Sequence, residues 1–293
     1  MEKIININGG LGRAISFSGV INKLAEKEKI SLMTSYDFLF QFSPNITCID
    51  TNFKNNFEEK IINCEYIEVE PYNDFDYYNE NEHISKVFNK LITGENKFVK
   101  PKIYTHKMYE EKANQWLSEE KKNGKKIMFI QPFAETGGNK VNGKESEDVS
   151  FRSLKEDFVK SIIEEYKKDY NIYIVRDGKQ FGFDGTKNFI LNGEEDYFMF
   201  YSACQLIDVA ICCDSFLHHL LEAVDTKAKV ITLWGATSEK AQGYSSQLNI
   251  RKKELKFVEP LRLPHNHLFY VAKNYGINDF DKVELEQIKK ELK

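Results

Sequence analysis

Short apolar runs alternate with helical patterns along almost the whole chain, and this alternation restricts the fold more than any other feature. Strand-like runs occupy residues 3–8, 30–34, 46–50, 66–70, 126–130, 172–175, 189–191, 209–213 and 230–234. Apolar residues at helical spacing predict helices over 14–27, 84–92, 109–122, 154–168, 196–204, 216–224 and 282–292. Strands that alternate with helices are typical of βαβ units, so we predict an α/β protein with parallel sheets.

A chain of 293 residues is long enough for two domains. The segment 95–125 contains Pro101 and Asn123-Gly124, and a second strand–helix series begins after it. We therefore predict two Rossmann-like halves, residues 1–122 and 123–250, whose sheets face a cleft, followed by a tail over 251–293. Ligands of such folds bind beyond the carboxyl ends of the parallel strands.

Composition excludes several classes of protein. The net charge of -4 gives no support for a protein that holds nucleic acid or an anionic membrane mainly by charge. No run approaches the ~20 apolar residues that span a bilayer, and the first residues lack the pattern of a secretion signal, so we expect a cytoplasmic protein. The five cysteines have no framework spacing and are expected to be free thiols, and no metal site is predicted.

The turn after the first strand is Gly9-Gly10-Leu11-Gly12-Arg13. Glycines at 10 and 12 let the backbone approach a ligand closely, and Arg13 adds a cation suited to phosphate or carboxylate. The turn matches neither G-x-G-x-x-G nor a P-loop, and the alternative interpretation is a tight turn without a ligand.

Three further segments of the second half carry polar groups at strand ends. An apolar strand ends in Asp214-Ser215, where a helix containing His219 begins, so the helix N-terminus favours an anion and Asp214 could accept hydrogen bonds from sugar hydroxyls. Helix capping alone would also explain Asp-Ser. Candidate ligand-binding residues of the other two segments are Gly235 and Thr237 after the strand 230–234, and Thr136, Gly137, Gly138 and Lys140 in the long polar loop 134–150.

The spacing of Asp214-Ser215, His219 and Val230-Ile231-Thr232-Leu233-Trp234-Gly235-Ala236-Thr237 resembles the D-[ST]-G-x-x-H … V-x-L-[FW]-G-x-[TS] region of the ADP-heptose:LPS heptosyltransferases, glycosyltransferase family 9. The resemblance implies a GT-B fold and inverting, metal-independent sugar transfer. The donor would be a nucleotide-diphosphate-sugar, with its diphosphate near Ser215 and residues 136–140, and no other cofactor is required. The acceptor, a surface glycan of lipopolysaccharide type or another hydroxyl compound, would face the first half, and the tail would return to brace that half.

Two positions depart from the family pattern. Arg13 stands where the family carries an Asp proposed as general base, and Phe216 replaces the glycine after Asp-Ser. A guanidinium cannot act as a base at ordinary pH, so the candidate catalytic residues are Arg13 together with Asp37 or Glu135, either of which could take the proton.

Other functions remain open at this stage. The acceptor could need little base assistance, as in fucosyltransferases, whose Gly-Gly-Leu-Gly-Asn turn is also similar. The protein could bind a nucleotide-sugar without turnover, or it could be a GT-B-type sugar-nucleotide epimerase. A nucleic-acid acceptor is compatible with the sequence, but no pattern of basic and aromatic residues supports it.

Overall fold

Strands and helices alternate in the order that the sequence predicts. The computed structural model describes residues 2–49, 62, 64–134, 140–141, 144–145, 152–235, 237–252, 261–263, 267–269 and 278–293. Its strands are β1 (Glu2–Asn6), β2 (Ile30–Met33), β3 (Ile46–Cys48), β4 (Cys64–Glu68), β5 (Lys126–Gln131), β6 (Lys140–Val141), β7 (Lys144–Glu145), β8 (Tyr170–Arg176), β9 (Lys187–Ile190), β10 (Val209–Cys213), β11 (Lys229–Trp234), β12 (Leu248–Arg251), β13 (Leu261–Leu263) and β14 (His267–Phe269). Its α-helices are α1 (Leu11–Ala25), α2 (Phe75–Tyr78), α3 (Ile84–Thr93), α4 (Lys107–Glu120), α5 (Glu156–Tyr166), α6 (Glu194–Cys204), α7 (Phe216–Ala223), α8 (Glu239–Gln242) and α9 (Lys282–Leu292).

Two parallel sheets hold these strands. The first has the order β3-β2-β1-β4 and the second β12-β11-β10-β5-β8-β9. Every pairing in both sheets is parallel, which confirms the predicted α/β architecture. Two antiparallel pairs, β6–β7 and β13–β14, lie outside these sheets.

The centre of the second sheet is a continuous apolar strand. All five residues of β10 are buried, because helices or loops cover both faces of a central parallel strand. Asp214 and Ser215 follow it directly, at the carboxyl edge of the sheet. Adjacent to β10 are β5 and β11, so the loops after all three strands emerge at this same edge.

Helix α1 lies between the two halves. Its residues 13–22 are all buried, although the sequence pattern predicts one apolar face. The second buried face is explained by α7 of the other half, against which α1 packs. On the side of the first half, Phe17 meets the ring of Phe88 in α3 edge to face, with ring centroids 5.2 Å apart.

Two differences from the sequence-based expectations stand out. Strand β12 was not predicted, because one of its four residues is buried and no apolar run marks it. The tail was expected to return to the first half, whereas α9 packs on the second: Ile288 lies in the core beneath that sheet and Lys289 pairs with Glu165 of α5 at 2.9 Å. The apolar face of the amphipathic helix α9 is thus buried against the apolar surface of the second half.

Candidate functional site

A cavity of about 400 Å³ lies at the carboxyl edge of the second sheet, and the start of α1 borders it from the first half. Its lining includes six of the residues that the sequence singled out: Gly10, Gly12, Arg13, Asp214, Ser215 and His219. The positions of these residues follow from topology, because each stands just after a strand or in the first turns of the helix that follows.

Asp214 is the buried charge of this cavity. It is 2% exposed, His218 Nε2 lies 3.2 Å from its Oδ1, and the Thr237 hydroxyl donates to its Oδ2. Burial by itself raises the pKa of a carboxyl group, but the bond to His218 and the positive charge of Arg152 outweigh it and hold the pKa of Asp214 well below its usual range. The carboxylate is therefore ionised and able to accept hydrogen bonds.

His219 joins the two halves at the cavity wall. Its Nδ1 lies 2.9 Å from Ser16 Oγ of α1 and 2.8 Å from the hydroxyl of Tyr244. Burial, followed by the neighbouring His218, holds the pKa of His219 well below its usual value, so the imidazole is neutral. A Cβ at Gly12 would come within 2.9 Å of His219 Cδ2, which explains why this helix turn carries a glycine.

Ser215 precedes α7 but its side chain does not cap the helix. Instead, the Gln131 side chain at the end of β5 bonds to Ser215 and to the first turn of α7. Its Nε2 donates to Ser215 Oγ at 3.1 Å, and its Oε1 accepts from the Leu217 N–H at 3.1 Å. Side-chain capping by Ser215, the alternative explanation of Asp-Ser, is therefore not observed. The first turn of α7 still points at the cavity, which is the orientation that attracts anions.

Arg13 is 5% exposed and is held by the strand end of β4. Its Nη1 pairs with Glu70 Oε2 at 3.0 Å, its Nη2 donates to the Val69 carbonyl, and the guanidinium lies 4.8 Å from the ring centre of Tyr72. Arg13 is therefore a fixed cation whose charge a carboxylate already matches.

The other predicted residues fall into three groups. Thr237 contacts Asp214, and Gly235 is buried directly after β11. Asp37 is exposed in a short 3₁₀ turn, Asp37–Phe40, and is not part of the cavity lining. Glu135, Thr136, Gly137 and Gly138 lie outside the described residues, and of Lys140 the structure describes only the backbone, in β6.

Sequence reasoning missed the basic side of the cavity. Arg152 and Arg176 both line it, together with Asp177 and Gln180. Arg152 Nη1 donates to the Asp214 carbonyl at 3.4 Å, while Arg176 Nε donates to the Asn188 side chain at 2.8 Å. Arg176 and Asp177 could have been identified from the sequence, because they lie at the end of a buried strand, as Asp214 does.

Three buried side chains have the composition of a metal site. Ligand atoms of Asp214, His218 and His219 lie within 4.8 Å of one another. They are already joined to protein partners through the Asp214–His218 contact and the bonds of His219 to Ser16 and Tyr244. His218 Nδ1 is buried with no hydrogen-bond partner among the described residues. The three side chains form a hydrogen-bonded network, and one carboxylate with two imidazoles is also a ligand set that binds divalent ions.

None of the described helices is both long and apolar enough to cross a membrane.

Solved structures share this fold. The iron-containing dodecameric glycosyltransferase TibC from enterotoxigenic E. coli matches with a TM-score of 0.60 at 10% identity, over 87% of this chain and 65% of that chain. TibC in complex with ADP-D-β-D-heptose matches with a TM-score of 0.66 at 10% identity, over 99% of this chain and 75% of that one.

Two other matches cover most of both chains. A glycosyl transferase of family 9 from Veillonella parvula has a TM-score of 0.61 at 11% identity, over 85% of this chain and 84% of that chain. The E. coli ADP-heptose LPS heptosyltransferase II has a TM-score of 0.58 at 12% identity, over 88% and 92%. The GT-B-like fold implied by the resemblance is thereby confirmed.

No protein-family model matches the chain. No curated protein matches it significantly.

Proposed function

We propose that the protein is a glycosyltransferase that moves a sugar from a nucleotide-diphosphate-sugar to a hydroxyl acceptor. The observation that carries this proposal is the cavity at the carboxyl edge of the second sheet, where two arginines and the start of α7 meet an ionised aspartate. Ligands of open α/β sheets bind at this edge. ADP-heptose is the first donor to test, because a protein of the same fold is described in complex with it.

The donor diphosphate fits the basic side of the cavity. Arg152 and Arg176 offer planar guanidinium groups that match phosphate oxygens, and the N-terminus of α7 adds the positive end of a helix dipole. Asp214 stands beside them and accepts hydrogen bonds from hydroxyl groups of the sugar. The acceptor then enters from the side of Gly10 and Gly12 in the first half.

The reaction that this arrangement favours is a single displacement. The acceptor oxygen attacks the anomeric carbon opposite the diphosphate, so the configuration inverts. The leaving diphosphate gains negative charge, and the fixed cations Arg152 and Arg176 stabilise it as a metal ion would in other enzymes. We therefore expect transfer to be independent of added metal.

A thermal-shift panel of nucleotides and nucleotide-sugars tests the donor site. A donor at about 100 times its Kd adds about 2.7 kcal/mol to the free energy of unfolding and raises Tm. The shift should be lost in Asp214→Asn and weakened in Arg152→Gln, and it should persist in Asp184→Asn, an exposed aspartate in a turn outside the cavity. EDTA should leave both the shift and turnover unchanged.

Other outcomes point to other functions. Binding with no turnover across a set of hydroxyl acceptors and water would favour a non-catalytic nucleotide-sugar-binding protein, and isomerisation of the donor alone would favour an epimerase. An absence of any shift with every nucleotide-sugar would overturn the proposal. The identity of the acceptor, the cytoplasmic location and the domain bounds at 122 and 250 stay predictions.

A further inference from the structure

The proposed transfer requires a group that takes the proton of the acceptor hydroxyl. Arg13 cannot do so, because a guanidinium has no free basic atom at ordinary pH. Asp37 is exposed in a short 3₁₀ turn, and its carboxylate accepts from the N–H of Phe38, which is not part of the cavity lining. Asp177 and Asp214 line the cavity, but they belong to the second half, where the donor is proposed to bind.

The pairing of β1 with β4 brings another carboxylate to the opposite side. The two strands are parallel, with Asn6 opposite Glu68, and the Val69 N–H extends the ladder by donating to the Asn6 carbonyl at 2.9 Å. Glu70 follows immediately. It therefore lies at the carboxyl edge of the first sheet, beside the turn that opens α1.

Two hydrogen bonds fix the Glu70 carboxylate there. Oε2 accepts from Arg13 Nη1 at 3.0 Å, and Oε1 accepts from the Tyr72 N–H at 3.0 Å. Glu70 is not part of the cavity lining, but Arg13 and Tyr72, which hold its carboxylate, both are. Within the ion pair the Glu70 side chain is 20% exposed and that of Arg13 3%, so Glu70 is the more exposed member.

We propose that Glu70 is the general base of the transfer and that Arg13 holds it in place. The inference rests on the proposed glycosyltransferase function. In the step, the acceptor O–H proton passes to Glu70 as the acceptor oxygen bonds to the anomeric carbon. The bond from that carbon to the diphosphate oxygen breaks, the electron pair leaves with the nucleoside diphosphate, and the protonated Glu70 returns its proton to water.

Glu70→Gln separates a base from a structural anchor. The amide keeps the size of the side chain, and its single acceptor oxygen keeps the hydrogen bond from either Arg13 or the Tyr72 N–H, but the amide takes no proton. The control is Glu68→Gln, two residues earlier on β4, where the side chain is exposed. Donor binding is measured by calorimetry with ADP-D-β-D-heptose, and turnover by its hydrolysis with water as acceptor, over a range of pH.

The expected result is that Glu70→Gln binds the donor as the wild type does while kcat falls about 100-fold or more, the usual contribution of a general base. The fall in rate on the acid side of the wild-type pH profile should be absent in this variant. Glu70→Ala should be partly rescued by formate, a small carboxylate that can take the proton in place of the missing side chain. Glu68→Gln should match the wild type.

Outcomes against the proposal are separable from failure of the proposed function. A wild-type protein that binds and hydrolyses the donor, with Glu70→Gln equally active, overturns the role of Glu70 and leaves the glycosyltransferase intact. A 100-fold loss in Glu70→Ala without formate rescue, and with normal kcat in Glu70→Gln, identifies Glu70 as an anchor only. A wild type that does not turn over any nucleotide-sugar overturns both.

Discussion

Two histidines around Tyr244 carry no charge: His219 is buried and His83 is half-buried. The ring centroids of His83 and His219 lie 5.1 Å and 5.6 Å from that of Tyr244. Burial, with smaller effects of His218 and Lys86, lowers the pKa of His83 from its ordinary value of 6.5 to about 4. The pKa of His219 is likewise well below its ordinary value, and burial is again the main cause. Both rings are neutral in the folded protein at neutral pH.

This burial makes stability depend on pH. Below about pH 6.5 the unfolded chain protonates these histidines and the folded chain does not, so the free energy of unfolding falls as pH falls, by about 1.4 kcal/mol per pH unit for each histidine. The contribution of His83 is complete above pH 6.5 and is lost progressively down to about pH 4. Urea denaturation at pH 7, 6 and 5 should show that the free energy of unfolding changes less steeply with pH in His83→Asn than in the wild type.

A matched control exists on another helix. His83 Nδ1 accepts from the Ser85 N–H and caps α3, and His106 Nδ1 accepts from the Met108 N–H and caps α4, but His106 is exposed. Asn can replace either cap. His106→Asn therefore measures the effect of the cap exchange alone at an exposed position, and an identical pH dependence of the unfolding free energy for His83→Asn and the wild type would contradict the assignment.

At the scale of elements, the close approach of α1 to the chain at Lys100 is set by one glycine. A Cβ at Gly19 would lie 1.9 Å from the Lys100 carbonyl oxygen and 2.6 Å from its carbon. Alanine is the better helix former by about 1 kcal/mol, but forcing it against backbone costs about 1–3 kcal/mol or more. The clash outweighs the propensity because backbone atoms cannot rotate away.

Gly19→Ala should therefore lower the free energy of unfolding by about 2 kcal/mol. Gly10→Ala is the control on the same helix, since no atom lies within 4 Å of its Cβ position, and its change of N-cap should cost no more than about 1 kcal/mol. Chemical denaturation measures both values. Equal stability of the two variants would mean that α1 can move away from Lys100.

The elements that the sequence predicts well are those with a continuous local pattern. The bounds of β10 and α9 agree with the prediction, since a fully buried run marks one and amphipathic spacing with an Asp281 capping box marks the other. Strand β12 escaped prediction because it is an edge strand with mixed burial. Local pattern cannot reveal which edge position a short polar segment will occupy.

The candidate site divides in the same way. Asp214 could be predicted, because an acidic residue directly after a buried strand lies at the ligand-binding edge. Arg152 and Glu70 could not, because neither follows a recognisable motif. Their positions depend on contacts between segments that are far apart in the sequence. The pairing of β1 with β4 places Glu70, and a hydrogen bond to the Asp214 carbonyl places Arg152.

At the scale of the whole molecule, one core joins the two sheets. A single buried apolar cluster includes Phe17 of α1 and Phe88 of α3 together with Phe129 of β5 and Leu220 of α7. A backbone hydrogen bond extends the contact: the Ile103 N–H donates to the Ala223 carbonyl at 3.1 Å. Separating the halves would expose apolar surface on both, so neither half keeps its full core alone.

The whole chain should accordingly unfold in one cooperative transition, in spite of its two sheets. Native-state hydrogen exchange with increasing denaturant tests this, because peptides covering β1 and β10 should reach the same opening free energy, that of global unfolding. Binding of a nucleotide-sugar at the carboxyl edge of the second sheet should then raise protection in β1 as much as in β10. Loss of protection in β1 at a lower denaturant concentration than in β10 would show that the first half opens separately and that α1 does not couple them.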